Sequence, residues 1–395
     1  MIHVLELDLA DPGDRLPLVE GQAWILLRAG DEVVGEAWEN GVTPATLDVL
    51  HVALLQRHRE EVVTRALLRP RPSDGALDPS TVTVVVSCRG NPELLDGCVG
   101  SILALDPAPG EVVLADDTGY PKDDEGDGSV AAVASRHGLD LVVAPAGGPL
   151  ARDTAWRRAR GEVVAFLDDA DRCHARFVAA LSAAFAAPGI AAATGLVVAA
   201  ELGTSPQVWF ERAGGMRAGF RRHLLGGDGS TDDLLLPRWS AASLAVRRHV
   251  LEALDGFDPA LDAGVASHGG DDLDLVHRVL DAGHAVLHEP SAIIRRVHPR
   301  ARSGLLAGTR ANARAHAAYQ VKRAALSPAT ARAVRRSRHR DTRHRLVLGL
   351  RAVLKRKLLE LQVVLAEAAG QRAAMRTRSS GCSAGREHAL LRTGA

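Results

Sequence analysis

The chain has almost no lysine. Lys122, Lys322, Lys355 and Lys357 are the only ones in 395 residues, and arginine carries nearly all the positive charge. Aromatic side chains make up only 3%. That removes the stacking platforms a single-stranded nucleic acid needs, so no nucleic-acid partner is expected. Cysteine is scarce as well. Cys88, Cys98, Cys173 and Cys382 form neither a CxxC pair nor a dense framework, which argues against structural zinc and for a reducing cytoplasm. No apolar run reaches the roughly 18 residues needed to span a bilayer. The N-terminal stretch MIHVLELDLADPGDR has neither the basic nor the apolar region of a secretory signal. What remains is a balance of 46% hydrophobic and 24% charged residues, that of a soluble globular chain. The length suits two or three domains.

The formal net charge of zero hides an asymmetry. Residues 301–395 hold 21 Lys and Arg against 4 Asp and Glu, a net of +17, so residues 1–300 carry −17. An acidic body with a basic tail predicts that the tail either covers the body or meets an anionic surface, the inner face of a membrane being the natural one.

Composition separates three segments. Residues 1–79 read as a small α+β module. Strands are expected at Ala23–Arg28 and Glu32–Trp38 around an Ala29-Gly30-Asp31 turn, then a helical stretch over residues 43–68 and a Pro-rich linker, RPRPSDGALDPS. No chemistry is evident there. Residues 80–300 alternate apolar strands (Val82–Val86, Glu111–Ala115, Leu139–Val143, Glu162–Leu167) with helical patterns (Pro92–Leu105, Ser129–His137, Pro149–Arg160, Arg176–Ala187). This alternation predicts an α/β fold with a mostly parallel sheet, whose ligands bind beyond the carboxyl ends of the strands. Residues 301–395 read as a basic helical tail, most clearly Arg345–Ala374, with a disordered end from residue 377.

The polar residues of the middle segment sit at those strand ends. After the first strand comes Ser87-Cys88-Arg89-Gly90-Asn91-Pro92, a hydroxyl and a guanidinium ahead of a helix that Pro92 opens. After the second comes Asp116-Asp117-Thr118-Gly119, where adjacent carboxylates call for a ligand, a donor or open solvent. The fourth strand leads into Asp168-Asp169-Ala170-Asp171, a hard-oxygen set suited to Mg²⁺ or Mn²⁺. Further on, Gly269-Gly270-Asp271-Asp272 opens another helix. A carboxylate there serves either as a cap or as a general base toward a hydroxyl. His298 follows the apolar stretch Ala292–Val297, interrupted only by Arg295 and Arg296.

Taken in order, these blocks resemble the family 2 glycosyltransferases of the GT-A fold, bacterial members in particular. VTVVVSCRGNPELLDGCVGSIL is similar to that family's opening strand, loop and helix, and EVVLADDTG to its Asp-Asp-Gly-Ser turn. LARDTAWRRARGEVVAFLDDAD resembles the Ala-Arg-Asn helix leading into the DXD motif. LDGFDPAL and GGDDLDLVHRVLDAGHAVLHEP resemble the Gly-Gly-Phe-Asp and Glu-Asp blocks.

The resemblance implies inverting transfer of a sugar from a nucleotide-diphosphate donor to a carbohydrate, lipid-linked or small-molecule acceptor. It implies nucleotide binding by Ser87, Arg89, Asp117, Arg152, Asp168 and Asp169, and general-base catalysis by Asp272. Arg152 and a divalent ion held by Asp169, Asp171 and His298 are expected to offset charge on the leaving diphosphate. Trp239, Ser243, Gly270 and Asp271 are expected to shape the sugar and acceptor site. Three departures stand out: Ala170 replaces the last DXD aspartate, Asp153 the usual Asn, and Ser243 another frequent Asn. Ala170 also admits an alternative, a catalytically degenerate relative that binds nucleotide or sugar without transfer.

Overall fold

Seven consecutive buried residues, Val82–Cys88, form the central strand of the protein. A strand covered on both faces must be apolar throughout, and VTVVVSC is nearly so. The computed structural model describes residues 2–68 apart from 12 and 15, and residues 76–117, 129–143, 151–226, 243–261 and 270–381. In chain order the strands are β1 Ile2–Asp8, β2 Gly21–Ala29, β3 Glu32–Val42, β4 Val82–Cys88, β5 Glu111–Asp116 and β6 Asp140–Val143. They continue with β7 Val163–Asp168, β8 Asp171–Cys173, β9 Ile190–Ala199, β10 His223–Leu225, β11 Leu244–Arg247 and β12 Ala285–Arg296.

Among the described residues the large sheet runs β10-β12-β9-β11-β7-β4-β5-β6, with β8 added against β12. The stretch β6-β5-β4-β7 is parallel, and β11 runs antiparallel between β7 and β9. This mixed α/β sheet is that of a GT-A core, and the four strands expected from sequence fall where expected. The helices expected between them appear as α3 Pro92–Leu103, α4 Ser129–His137, α5 Ala151–Arg158 and α6 Phe177–Ala184, after α1 Leu47–Arg57 and α2 Arg59–Leu68 and before α7 Ser205–Arg212 and α8 Arg248–Ala253. Helix α3 starts where Asn91 accepts the Leu94 N–H and Pro92 needs no donor. Leu95, Cys98, Val99 and Ile102 of α3 join Val82, Val84 and Val86 in one core cluster.

Contacts divide the chain into two compact units. The first comprises Met1–Ser230, Ser240–Gly256 and Arg278–Ala301; the second comprises Thr231–Trp239, Phe257–His277 and Arg302–Ala395. The N-terminal segment therefore belongs to the same unit as the large sheet. Its three strands form a separate sheet, β1 parallel to β2 and β2 antiparallel to β3. The period-two alternation of β2 divides its side chains between two buried faces. Ile25 and Leu27 pack with Leu47 and Leu54 of α1. Trp24 and Leu26 pack with Leu196, Val198 and Ile293 of β9 and β12. The module is a buttress against the large sheet.

Charge fastens the same junction. The Glu6 carboxylate of β1 pairs with Arg28, Arg295 and His174, the last at 3.1 Å. Burial pushes Glu6 up, but the His174 hydrogen bond and the charges of His174, Arg295 and Arg28 outweigh it and hold the carboxyl at about 2. In the second unit, helices α10 Arg302–Leu326, α11 Pro328–Leu354 and α12 Leu358–Gly381 pack on one another. Gly370 of α12 lies so close to α10 that an added Cβ would stand 2.2 Å from the Arg310 carbonyl oxygen. The helical stretch expected over Arg345–Ala374 is interrupted where Arg356 adopts φ 53°. The disorder expected from residue 377 gives way to helix as far as Gly381; residues 382–395 lie outside the described set, as do residues 69–75 of the expected linker.

A group whose folded pKa lies below its unfolded value stabilises the fold above the unfolded pKa and ceases to do so as pH falls through the folded one. Glu6→Gln is therefore expected to cost on the order of 2 kcal/mol above pH ~4.5, and the gap to the wild type is expected to close between that pH and about 2. Urea titrations of both proteins at several pH values read this directly; a gap that persists unchanged to pH ~2 contradicts it.

Candidate active site

Register brings three strand ends to one level. Ser87 of β4 lies opposite Ala115 of β5 and Asp168 of β7, and Cys88 lies opposite Asp116. The chain then turns, and each turn is tied to its neighbour. The Asp169 N–H donates to the Ser87 carbonyl at 3.1 Å and the Asp117 N–H to the Cys88 carbonyl at 3.2 Å. The Arg89 N–H donates to the Asp169 carboxylate at 2.8 Å. Asp117 accepts the Ala151 N–H at 2.7 Å, which anchors the start of α5 and sets Arg152 in its first turn. Ser87, Arg89, Asp117, Arg152, Asp168 and Asp169 thus converge through a web of backbone bonds. Arginines beside a helix start favour an anion. Cys88 is no nucleophile here: burial and the charges of Asp169, Asp116 and Asp117 push its thiol far up.

Beyond β7 the acidic turn is closed by an arginine from the far side of the sheet. Arg296, the last residue of β12, lies opposite Asp171 in the β8–β12 pairing. Its Nε and Nη2 meet the two Asp171 oxygens at 2.6 and 2.7 Å, a bidentate fork. Nη2 also lies 2.9 Å from Asp168 Oδ2. The Asp171 side chain is 0% exposed and Arg296 13%. Asp171 further accepts the Asp168 N–H at 2.9 Å, folding the turn back on itself. Burial raises the Asp168 carboxyl, yet the charges of Arg296, Arg89 and Arg152 outweigh it and hold Asp168 below the usual carboxylate range. Asp169 goes the other way, pushed up by burial and by Asp168 and Asp171 against the pull of Arg89.

The profile of the family described as "Glycosyltransferase like family 2" matches residues 79–316, more than half of the chain. The chain belongs to that family. No match was found among curated proteins. Among solved structures the chain is similar to PcManGT, a mannosyltransferase from Pyrobaculum calidifontis in complex with GDP-Man and Mn²⁺. The two are 20% identical over 87% of each chain, with a TM-score of 0.46.

The family 2 glycosyltransferase reading of the DXD block expected a divalent ion on Asp169, Asp171 and His298. The residues do not fit one. Ala170 offers no side-chain oxygen, and both Asp171 oxygens are taken by Arg296, whose charge a metal ion would have to approach. His298 faces elsewhere: its Nε2 lies 3.3 Å from the buried carboxylate of Glu211, and its ring packs edge-on to Phe210. Among the described residues no three His, Cys, Asp or Glu side chains group as a metal-ligand set.

The other departures have structural explanations. Asp153, in place of Asn, accepts the Trp156 indole N–H at 2.7 Å and pairs with Arg157 at 3.2 Å. It sits so close to Gly256 that a side chain at 256 would collide with both Asp153 and Trp156. Ser243 is buried at φ 63°, a left-handed position where Asn is also at ease. Trp239 lies outside the described residues.

In the second unit, Gly270 precedes helix α9 Asp271–Asp281 at φ 97°, with room for no Cβ against the Ala315 carbonyl. Asp271 is buried and accepts the Asp272 N–H, while Asp272 is partly exposed and accepts the Leu273 N–H at 2.8 Å. Asp274 on the same helix meets Lys322 at 2.7 Å.

The residue that sequence reading passed over is Arg296. Its one signal was a pair of arginines interrupting an otherwise apolar strand.

Proposed function

We propose that this family 2 glycosyltransferase moves a sugar from a nucleoside-diphosphate donor to an acceptor hydroxyl with inversion. The observation that carries the reading is the convergence of Ser87, Arg89, Asp117, Arg152, Asp168 and Asp169 at one end of the parallel strands, within the span matched by the family. Asp272 removes the proton from the acceptor hydroxyl as its oxygen attacks the anomeric carbon from the face opposite the diphosphate. The bond from that carbon to the phosphate oxygen breaks, and the diphosphate departs with its electron pair. Arg152 offsets the charge that develops there. Supporting the Asp272 role is its place in the first turn of α9, partly exposed, behind a glycine that holds the backbone in a left-handed turn.

A second reading, a degenerate protein that binds without transferring, is favoured by Ala170 alone. Asp272→Asn separates the two. It is expected to lower the transfer rate by about 10²–10⁴-fold with nucleotide affinity unchanged. A wild type that binds nucleotide but turns over no donor supports the degenerate reading instead, and loss of nucleotide affinity in a folded variant contradicts the base role.

Among the described residues no helix is long and apolar enough to cross a membrane. We infer that α11 and the start of α12 lie on an anionic bilayer surface. Leu346, Leu350 and Leu354 recur at helical spacing and are all exposed, as is Leu358, and Arg343, Arg351, Lys355, Arg356 and Lys357 stand among them. Exposed leucines bounded by cations suit the interface between headgroups and acyl chains. Sedimentation with phosphatidylglycerol vesicles is expected to carry the protein down at low salt and to weaken as screening rises; Leu350→Ser with Leu354→Ser is expected to cut binding about tenfold. Equal binding to neutral vesicles, or none to either, contradicts it.

A further inference from the structure

A DXD turn exists to place a divalent cation against the donor's diphosphate, and here that turn already holds a cation of its own. Arg296 occupies the space between Asp168 and Asp171, bidentate on one carboxylate and 2.9 Å from the other. The position that would supply the metal's carboxylate is Ala170, whose carbonyl instead accepts the Val297 N–H at 2.9 Å, next to Arg296 in the chain. The two further arginines whose charges act on Asp168, Arg89 and Arg152, stand at the neighbouring strand end and at the start of α5. Each of the three carboxylates has an oxygen committed to a guanidinium or an amide: Asp171 and Asp168 to Arg296, Asp169 to the Arg89 N–H.

We propose that Arg296, fixed by Asp171 and flanked by Arg89 and Arg152, takes the place of the divalent cation, so that the site binds nucleoside diphosphates without metal. This rests on the transferase reading above. Guanidinium groups suit the task. They remain charged at any relevant pH, match the geometry of phosphate oxygens in pairs, and need no carboxylate ligands beyond those that orient them. Asp171 is then a positioning residue: its two oxygens hold Nε and Nη2 of Arg296, Nη2 also meets Asp168, and Nη1 lies 3.5 Å from Met216 Sδ, so the charge stays fixed between the two carboxylates.

Arg296→Ala alone strands a buried Asp171 carboxylate and threatens the fold. The paired variant Arg296→Met with Asp171→Asn keeps shape and neutrality. Calorimetric titration with UDP, GDP, TDP and ADP, each with EDTA and again with Mn²⁺, is run on the wild type and on this variant. Titration with the nucleoside of whichever base binds serves as the reference. The wild type is expected to bind one diphosphate in EDTA, with Mn²⁺ changing affinity by less than about twofold. The paired variant is expected to lose about tenfold or more for the diphosphate, the size of a charge-assisted contact, and nothing for the nucleoside. Binding that requires Mn²⁺ overturns the proposal and leaves the transferase reading standing. A variant that binds like the wild type, or loses nucleoside and diphosphate alike, also overturns it. Failure of all four nucleotides under both conditions overturns the proposal and the transferase reading together.

Discussion

A buried carboxylate must find a positive partner or give up its charge, and in this protein that requirement fixes the shape of the strand-end site. Asp171 is removed from solvent, and Arg296 reaches it from the last residue of β12 across the β8 pairing. The fork between them ties the acidic turn after β7 to β12, beyond β11 and β9 in the sheet. Through the Asp168 amide and the Asp169 amide, the same turn is tied back to Ser87. The ion pair therefore fixes the turn after β7, while strand register sets its level beside Ser87. A buried pair of this kind adds little net stability over an apolar replacement, yet breaking it is expensive, which makes it a good device for specifying one arrangement.

The N-terminal sheet serves that arrangement from behind. Its Trp24 and Leu26 cover Val198 and Ile293, and Glu6 engages Arg295, the neighbour of Arg296. Because successive residues of a strand face opposite sides, β12 presents Arg295 to the N-terminal module and Arg296 to the acidic turn. Those two arginines, adjacent in sequence, thus join the module and the site to one strand. The Glu211 carboxylate is linked in the same way, pairing with Arg217, which also meets Glu36 of β3 at 3.0 Å.

Much of the core was legible because parallel strands buried on both faces leave nearly unbroken apolar runs, as in Val82–Val86, interrupted only by Thr83, and Val163–Leu167. The residues at the ends of those runs can be named from the chain alone, since backbone periodicity places them. What sequence could not show was which cation answers which carboxylate. Asp171 and Arg296 are 125 residues apart, and nothing local to Asp-Asp-Ala-Asp distinguishes an aspartate awaiting a metal from one already paired. The same blindness assigned His298 to a metal, although Glu211 sits beside it. Strand β1 escaped notice because its partner is a parallel strand with α/β-style register but no intervening helix, and because its alternating HVLELD looks equally like a solvated N-terminus. The break at Arg356 is a left-handed residue inside an otherwise helical composition, which propensity does not reveal.

The central claim is that the ends of β4, β5 and β7, closed by Arg296, receive the nucleotide. Hydrogen–deuterium exchange with and without the nucleoside diphosphate that binds, in EDTA, reads the location amide by amide. Protection is expected over Ser87–Arg89, at Asp117 and over Asp168–Arg172. Protection confined to other segments, with these amides unchanged, contradicts the claim.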